Sequence, residues 1–309
     1  MARLYPLLPF HPDETPWSWV ARMAAYHIRG TIEWFLRDLG FEPFAISMGE
    51  PDEILRLCLL AGQDADVVLR NTPTRFGVRS HRLGKEILLD SLHPWDDLRF
   101  CPACLAADDR AAEAASQANA IHRRERLAWR LRPVRRCTLH GVPLIGCKRP
   151  EADGTVGVFA HKDAGHITVR GERSVEATAR PPTPLQVYVQ RRIEGRPGPE
   201  WLDLQHLEQA VRVTELLGLA VEFGPHSVLN DLSDTDRDAA ATTGWRYASE
   251  GNDGVLQALS ILHARSGQPG PLGRRAMWQC YGALMEDLEH PGGSGPFSTV
   301  FAKHISSLT

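Results

Sequence analysis

Cys101-Pro102-Ala103-Cys104 and Cys137-Thr138-Leu139-His140, with 32 residues between Cys104 and Cys137, constrain the fold of this chain more than any other feature. Each pair forms a short turn that aims two side chains at one point. Two such knuckles supply the four sulfur and nitrogen donors of a closed tetrahedral site, which zinc suits because it imposes no direction of its own. Pro102 and Gly141 fit the tight turns such a site requires. The gap between the knuckles has room for a helix. The expectation is therefore a structural Zn2+ held by Cys101, Cys104, Cys137 and His140, tying together a domain larger than a small zinc finger.

A disulfide framework fits less well. The six cysteines, Cys58, Cys101, Cys104, Cys137, Cys147 and Cys280, are sparse for 309 residues, and Pro6 and Pro9 interrupt Met1 to Phe10 before any export signal could form. Cys147 lacks a C-x2-C partner and is read as a lone buried cysteine. With no uncharged apolar run of about 18 residues, no membrane span is expected, and the cysteine usage points to a reducing cytoplasm.

The length suggests two domains, and 43% hydrophobic residues suffice for real cores. A net charge of −3 argues against coating nucleic acid by bulk electrostatics, so any DNA contact must be local. From His122 to Arg136 there are seven arginines against one acid. Arg123, Arg124, Arg126, Arg130, Arg135 and Arg136 are accordingly candidate phosphate clamps beside the second knuckle. The competing reading is a solvated helix face paired with local acids.

The fold expected is mainly α: a helical domain over 1–147 with the embedded zinc knuckles, a loose hairpin and linker over 148–184, and a smaller helical domain over 185–309. The first hundred residues read as helical, starting with Thr15 as N-cap and Pro16 at the first helical position. Ile32 to Leu39 follows, ended by Gly40. Asp52 is expected to cap Ile54 to Leu59, and after a Gly62 turn Asp64 caps a short helix to Arg70, a pair resembling a helix-turn-helix. After Pro199, Trp201, Leu204, Leu207, Val211, Thr214 and Leu217 keep helical spacing up to Gly218. Val255, Leu259 and Leu262 mark a helix after the Gly251-Asn252-Asp253-Gly254 turn. Met277, Tyr281, Leu284 and Leu288 mark the next, and Phe297 to Leu308 a terminal one.

Several stretches together carry a family resemblance. Glu14-Thr15-Pro16-Trp17-Ser18-Trp19-Val20-Ala21-Arg22, Arg99 to Leu105, Leu127-Ala128-Trp129-Arg130, Cys137 to Gly141 and Pro143-Leu144-Ile145 occur in an order that resembles the signature of the TniQ family of transposition proteins, which includes the target selector TnsD. The resemblance covers about residues 1–150 and is thinner beyond. It implies a zinc-containing helical adaptor that directs a transposase and an AAA+ regulator to a target, either a DNA site or a CRISPR effector complex, without cutting DNA itself. It also implies that Cys101, Cys104, Cys137 and His140 are the ligands. Apolar C-terminal helices leave room for a homodimer.

Enzymatic alternatives find little support. No His-x-Glu precedes the Cys-Pro-x-Cys element, as a zinc nucleobase deaminase would require, and neither H-E-x-x-H nor a P-loop occurs. Two rivals remain, a zinc-containing helix-turn-helix transcription regulator and a zinc-ribbon endonuclease using His81, His93, His122 and nearby acids.

Overall fold

Thr15 and Pro16 start the first helix as the sequence predicts: the Ser18 N–H donates to the Thr15 hydroxyl at 3.3 Å, and α1 runs Pro16–His27. Its first nine residues, Pro16 to Ala24, are all buried, so this helix is wrapped on every side by the rest of its unit. The computed structural model describes residues 3–27, 31–89, 91–93, 97–148, 179–269, 273–289 and 295–308. They fall into two compact units, Met1–Pro182 and Thr183–Thr309.

In the first unit α2 (Ile32–Asp38), α3 (Pro43–Ser47), α4 (Pro51–Ala61) and α5 (Ala65–Arg70) surround α1. Trp19, Met23, Phe35, Leu36, Ile54, Leu57 and Val68 form the shared core. Gly62 ends α4 at a φ of 62°, and the Asp64 side chain caps α5 by accepting the Asp66 N–H. Asp52 is not the cap of α4. Pro51 takes the first helical position because it lacks an N–H and its φ is already helical, so Glu50 is the N-cap residue and Asp52 joins the first turn, where its charge suits the helix dipole.

The expectation of helix over the first hundred residues fails after Arg70. β1 (Thr74–Gly77), β2 (Ser80–Leu83) and β3 (Glu86–Leu89) form an antiparallel meander, with Thr74 opposite Arg82 and His81 opposite Leu88. Two-residue connections at Val78-Arg79 and Gly84-Lys85 set its register, Gly84 adopting the positive φ of 57° that such turns need. His81 and Leu83 are buried while Arg82 between them is exposed, the period of two that distinguishes a strand from a helix. β4 (Asp97–Phe100) pairs antiparallel with β5 (Ile145–Lys148), so one strand leads into the first knuckle and the other follows the second. Between them lie α6 (Pro102–Ala114), α7 (Asn119–His122) and a 3-10 turn at Leu127–Arg130. The expected hairpin and linker fall largely on 149–178, outside the described residues, as does the Cys147 side chain.

The second unit is helical throughout its described residues: α8 (Pro184–Ile193), α9 (Glu200–Asp203), α10 (Leu207–Phe223), α11 (Asp234–Ala248), α12 (Gly251–Ser266), α13 (Arg274–Tyr281), α14 (Ala283–Glu289) and α15 (Pro296–Ser306). The helix expected from Trp201 to Gly218 is two helices. Leu204, 70% exposed, lies in the break, and α10 continues through Gly218 to Phe223. The Gly251-Asn252-Asp253-Gly254 segment is the first turn of α12 rather than a loop before it. The helix expected through Met277 and Leu288 divides at Gly282, whose backbone lies against the Pro225 carbonyl. α11 carries no long apolar stripe and was not foreseen. Its buried face is Ala240, Ala241, Gly244, Tyr247 and Ala248, of which Ala240 and Gly244 are small enough to bring two backbones together.

Gly218 and Gly244 are therefore packing positions, not helix stops. A Cβ on Gly244 would lie 1.8 Å from the Thr214 carbonyl oxygen, and one on Gly218 would lie 1.8 Å from the Ala240 carbonyl oxygen. In an open helix, replacing glycine with alanine stabilises by about 1 kcal/mol. Here Gly244→Ala is expected to do the opposite, destabilising by about 1–3 kcal/mol as α10 and α11 are forced apart. Denaturant unfolding reads the sign, and a gain in stability would show that the helices do not meet at this glycine.

Candidate metal centre

The four predicted ligands converge. The sulfurs of Cys101, Cys104 and Cys137 and a ring nitrogen of His140 all lie within 4.8 Å of one another. His140 Nδ1 is 3.5 Å from Cys101 Sγ, 3.3 Å from Cys104 Sγ and 3.5 Å from Cys137 Sγ, and the Cys104 and Cys137 sulfurs are 3.6 Å apart. A tetrahedron with zinc bonds of about 2.0–2.3 Å has edges of about 3.3–3.8 Å, so these separations fit one zinc ion. The three cysteines are buried and His140 is exposed, which leaves the imidazole at the rim of the site.

Local structure explains the convergence. Cys101 is the N-cap of α6, Pro102 takes the first helical position, and Cys101 Sγ accepts the Cys104 N–H at 3.4 Å. The first knuckle is thus a helix N-terminus, where the dipole favours thiolate. In the second, the Gly141 N–H donates to the Cys137 carbonyl at 2.7 Å, with Gly141 at a φ of 67°. A side chain there would also strike the Arg180 carbonyl, 2.7 Å from the Cβ position. Phe100, Leu105, Trp129 and Val142 close the centre against water.

The electrostatics point to the same occupant. Hydrogen bonds from Cys101 and Cys104 push the Cys137 thiol down, while hydrogen bonding to Cys101 and Cys137, with burial behind it, pushes Cys104 up. Three thiolates at one point repel one another unless a cation joins them. A bound Zn2+ would let all three ionise, and it would serve structure rather than chemistry, because four protein ligands leave no open position.

Four arginines of the basic stripe are paired with carboxylates of the same unit. Arg123 donates from Nε and Nη2 to the two Asp109 oxygens, both at 2.6 Å, and Arg126 donates to both Asp108 oxygens at 2.8 and 3.0 Å. Arg130 Nη2 donates to Glu125 at 3.0 Å, and Arg124 Nη1 to Asp13 at 3.0 Å. Arg136 is buried, with Nη1 donating to the Gly141 carbonyl at 3.4 Å, and Arg135 is half-buried. Carboxylate pairing thus engages Arg123, Arg124, Arg126 and Arg130 within the fold, the arrangement the competing reading of local acid partners describes. Only Glu125 among those acids lies within the stripe, so the pairing is not visible from local sequence. Arg126, stacked 4.8 Å from the Trp129 ring, also draws down the Cys104 pKa, and its charge complements the net negative charge of a zinc ion with three thiolates.

A second cluster went unrecognised in the sequence. Glu14, fully buried, is 2.7 Å from Arg22 Nη1 and accepts the Ser18 hydroxyl at 2.9 Å. Ser18 Oγ accepts the Glu125 N–H at 2.9 Å, and the Thr15 hydroxyl donates to Glu125 at 2.8 Å. Arg22 Nε reaches the Ile121 carbonyl at 2.8 Å. The available signal was Glu14, Ser18 and Arg22 at four-residue spacing around an apolar helix. The first motif that carried the resemblance is thus bonded to α7 at Ile121 and to Glu125 after it, and Glu125 in turn accepts from Arg130 of the Leu127–Arg130 motif.

Two predictions follow from these geometries. Purified protein should carry one zinc per chain by elemental analysis, and Cys101→Ser should lose it and melt at lower temperature. Zinc-free protein, or a variant with unchanged melting, would remove the metal. Burial raises the Glu14 carboxyl from 4.5 to about 7 against the opposing pull of Arg22. The folded state then holds a proton that the unfolded state releases between these values. That stabilisation is full below pH 4.5 and lost as pH rises through 7, on the order of 3 kcal/mol. Glu14→Gln should flatten the stability–pH curve in that window, and a curve parallel to wild type would contradict the shift.

Comparison with curated proteins finds no match. The family model that does match, TniQ, covers residues 6–144, a span holding the α1 network and all four cysteine and histidine ligands. The chain therefore carries a TniQ family domain over residues 6–144, which marks it as a transposition-associated protein.

Proposed function

We propose that this protein is a transposon-encoded adaptor for target-site selection, one that brings an AAA+ regulator and its transposase to a DNA site or a CRISPR effector complex and performs no chemistry itself. The observation that carries the reading is the TniQ domain over residues 6–144. Zinc, in this reading, maintains the fold of that domain.

The site chemistry supports an adaptor over a nuclease. Among the described residues the Cys101, Cys104, Cys137 and His140 group is the one cluster with metal-ligand spacing, and its donors are all protein atoms. His81 and His93, raw material for a nuclease, are buried with rings 5.4 Å apart, and His122 bonds to Gln117 at 2.7 Å. The transcription-regulator reading would rest on α4 and α5. Its second helix is six residues long and turns Asp66 and Arg70 to solvent, one charge of each sign, which is a weak surface for entering a groove. No helix among the described residues is long and apolar enough to cross a membrane.

The test is co-purification with the AAA+ regulator encoded by the same element. The full chain is expected to retain that regulator and to leave supercoiled DNA intact in magnesium or manganese. Metal-dependent cleavage by the purified chain would overturn the adaptor reading.

A further inference from the structure

A run of exposed positive charge lies on the β1–β3 meander. No Asp or Glu occurs between Asp66 and Glu86, while Arg75, Arg79, Arg82 and Lys85 all lie in that interval. All four are exposed, whereas Glu86, the first acid after them, is buried. This is the reverse of the 123–136 stripe, whose arginines face carboxylates indoors. The meander also presents Phe76, 53% exposed, and Val78, 84% exposed, beside its charges.

The register gives the meander two different faces. His81, Leu83, Glu86 and Leu88 turn inward. On the outer face the Arg82 guanidinium lies 5.5 Å from the Phe76 ring centre. Arg75 stiffens the tip, donating from Nε to the Gly77 carbonyl at 3.0 Å and from Nη2 to the Val78 carbonyl at 3.2 Å. The base is fixed as well: the Arg75 N–H donates to the Met48 carbonyl at 3.0 Å and the Thr74 hydroxyl to the Gly49 carbonyl at 3.2 Å. The ribbon is held ready rather than left to order itself on binding, which lowers the entropy cost of recognition.

We infer that the outer face of the β1–β3 meander is a duplex-DNA contact, with Arg82 and the β2–β3 turn residue Lys85 on phosphates and Phe76 and Val78 against the groove wall. The wide major groove of B-DNA admits β-strands, and an apolar side chain there can meet a thymine methyl, whereas the deep narrow major groove of A-form RNA excludes them. The basic charge excludes positively charged partners. The choice of DNA among polyanions rests on the transposition reading, and regulator binding, measured separately, does not depend on these side chains.

Anisotropy with a fluorescent duplex of mixed sequence, titrated from 50 to 200 mM salt, tests the assignment on the full-length protein. Two phosphate contacts make the log–log salt slope steeper by about 1.8, so wild type should lose about 12-fold more affinity over that range than Arg82→Gln/Lys85→Gln. Arg124→Ala, whose guanidinium is held by Asp13, should follow wild type. If the double variant melts early, Lys85→Glu alone, at the exposed turn, should weaken binding at 50 mM salt. Equal slopes in wild type and the double variant, no loss of affinity in Lys85→Glu, flattening by Arg124→Ala instead, or tighter binding of RNA or an acidic peptide through the same residues would each overturn the assignment. Regulator retention with no DNA binding would reject the meander contact and leave the adaptor reading in place.

Discussion

A guanidinium cannot be left alone in a protein interior, and the first unit is organised around that constraint. Arg22, Arg123, Arg126 and Arg130 are all buried, and each is matched by a carboxylate from another turn or element. Desolvating such ions costs several kcal/mol each, so the arrangement persists only where geometry and further hydrogen bonds offset the cost. Glu14 supplies both at once through Arg22 and Ser18. Removing one partner would leave the other charge stranded, more damaging than losing a contact of the same area.

This network reaches the metal centre. Arg126 binds Asp108 on α6, the helix whose N-terminus presents Cys101 and Cys104, and stacks on Trp129 in the apolar shell around the sulfurs. Asp108 also accepts the Arg124 N–H at 3.2 Å. The Cys3His cluster and the ion pairs therefore belong to one shared arrangement, in which α6 meets the cluster at its first turn and carboxylate pairs further along. The expected consequence is coupled behaviour: losing the metal would loosen α6 and expose the arginine pairs to water.

Positive charge in this protein has two roles, separated by where its partners sit. In the 123–136 segment the partners are Asp13, Asp108, Asp109 and Glu125, and the charge is consumed within the fold. In the 75–85 segment of the meander the sequence provides no acid, and Arg75, Arg79, Arg82 and Lys85 are exposed. With a net charge of −3, a surface of this kind acts locally rather than through the field of the whole molecule.

The metal site was legible in the sequence because its chemistry is local: two knuckles, Pro102 and Gly141 state their geometry within a few residues. Helix starts at Thr15 and Asp64 and the stops at Gly40 and Gly62 are legible for the same reason, since a cap is a bond between near neighbours. Gly218, Gly254 and Gly244 were opaque because their meaning depends on a carbonyl elsewhere in space, and a close-packing glycine looks like a helix breaker in one dimension. The partners of the arginine stripe were opaque for a related cause: whether a charge faces water or an acid is decided by residues as distant as Asp13. The sequence by itself determined a mainly helical chain with a Cys3His site. The tertiary structure decided which charges are buried and which face solvent, because only folding brings a cation beside an acid that is distant in sequence.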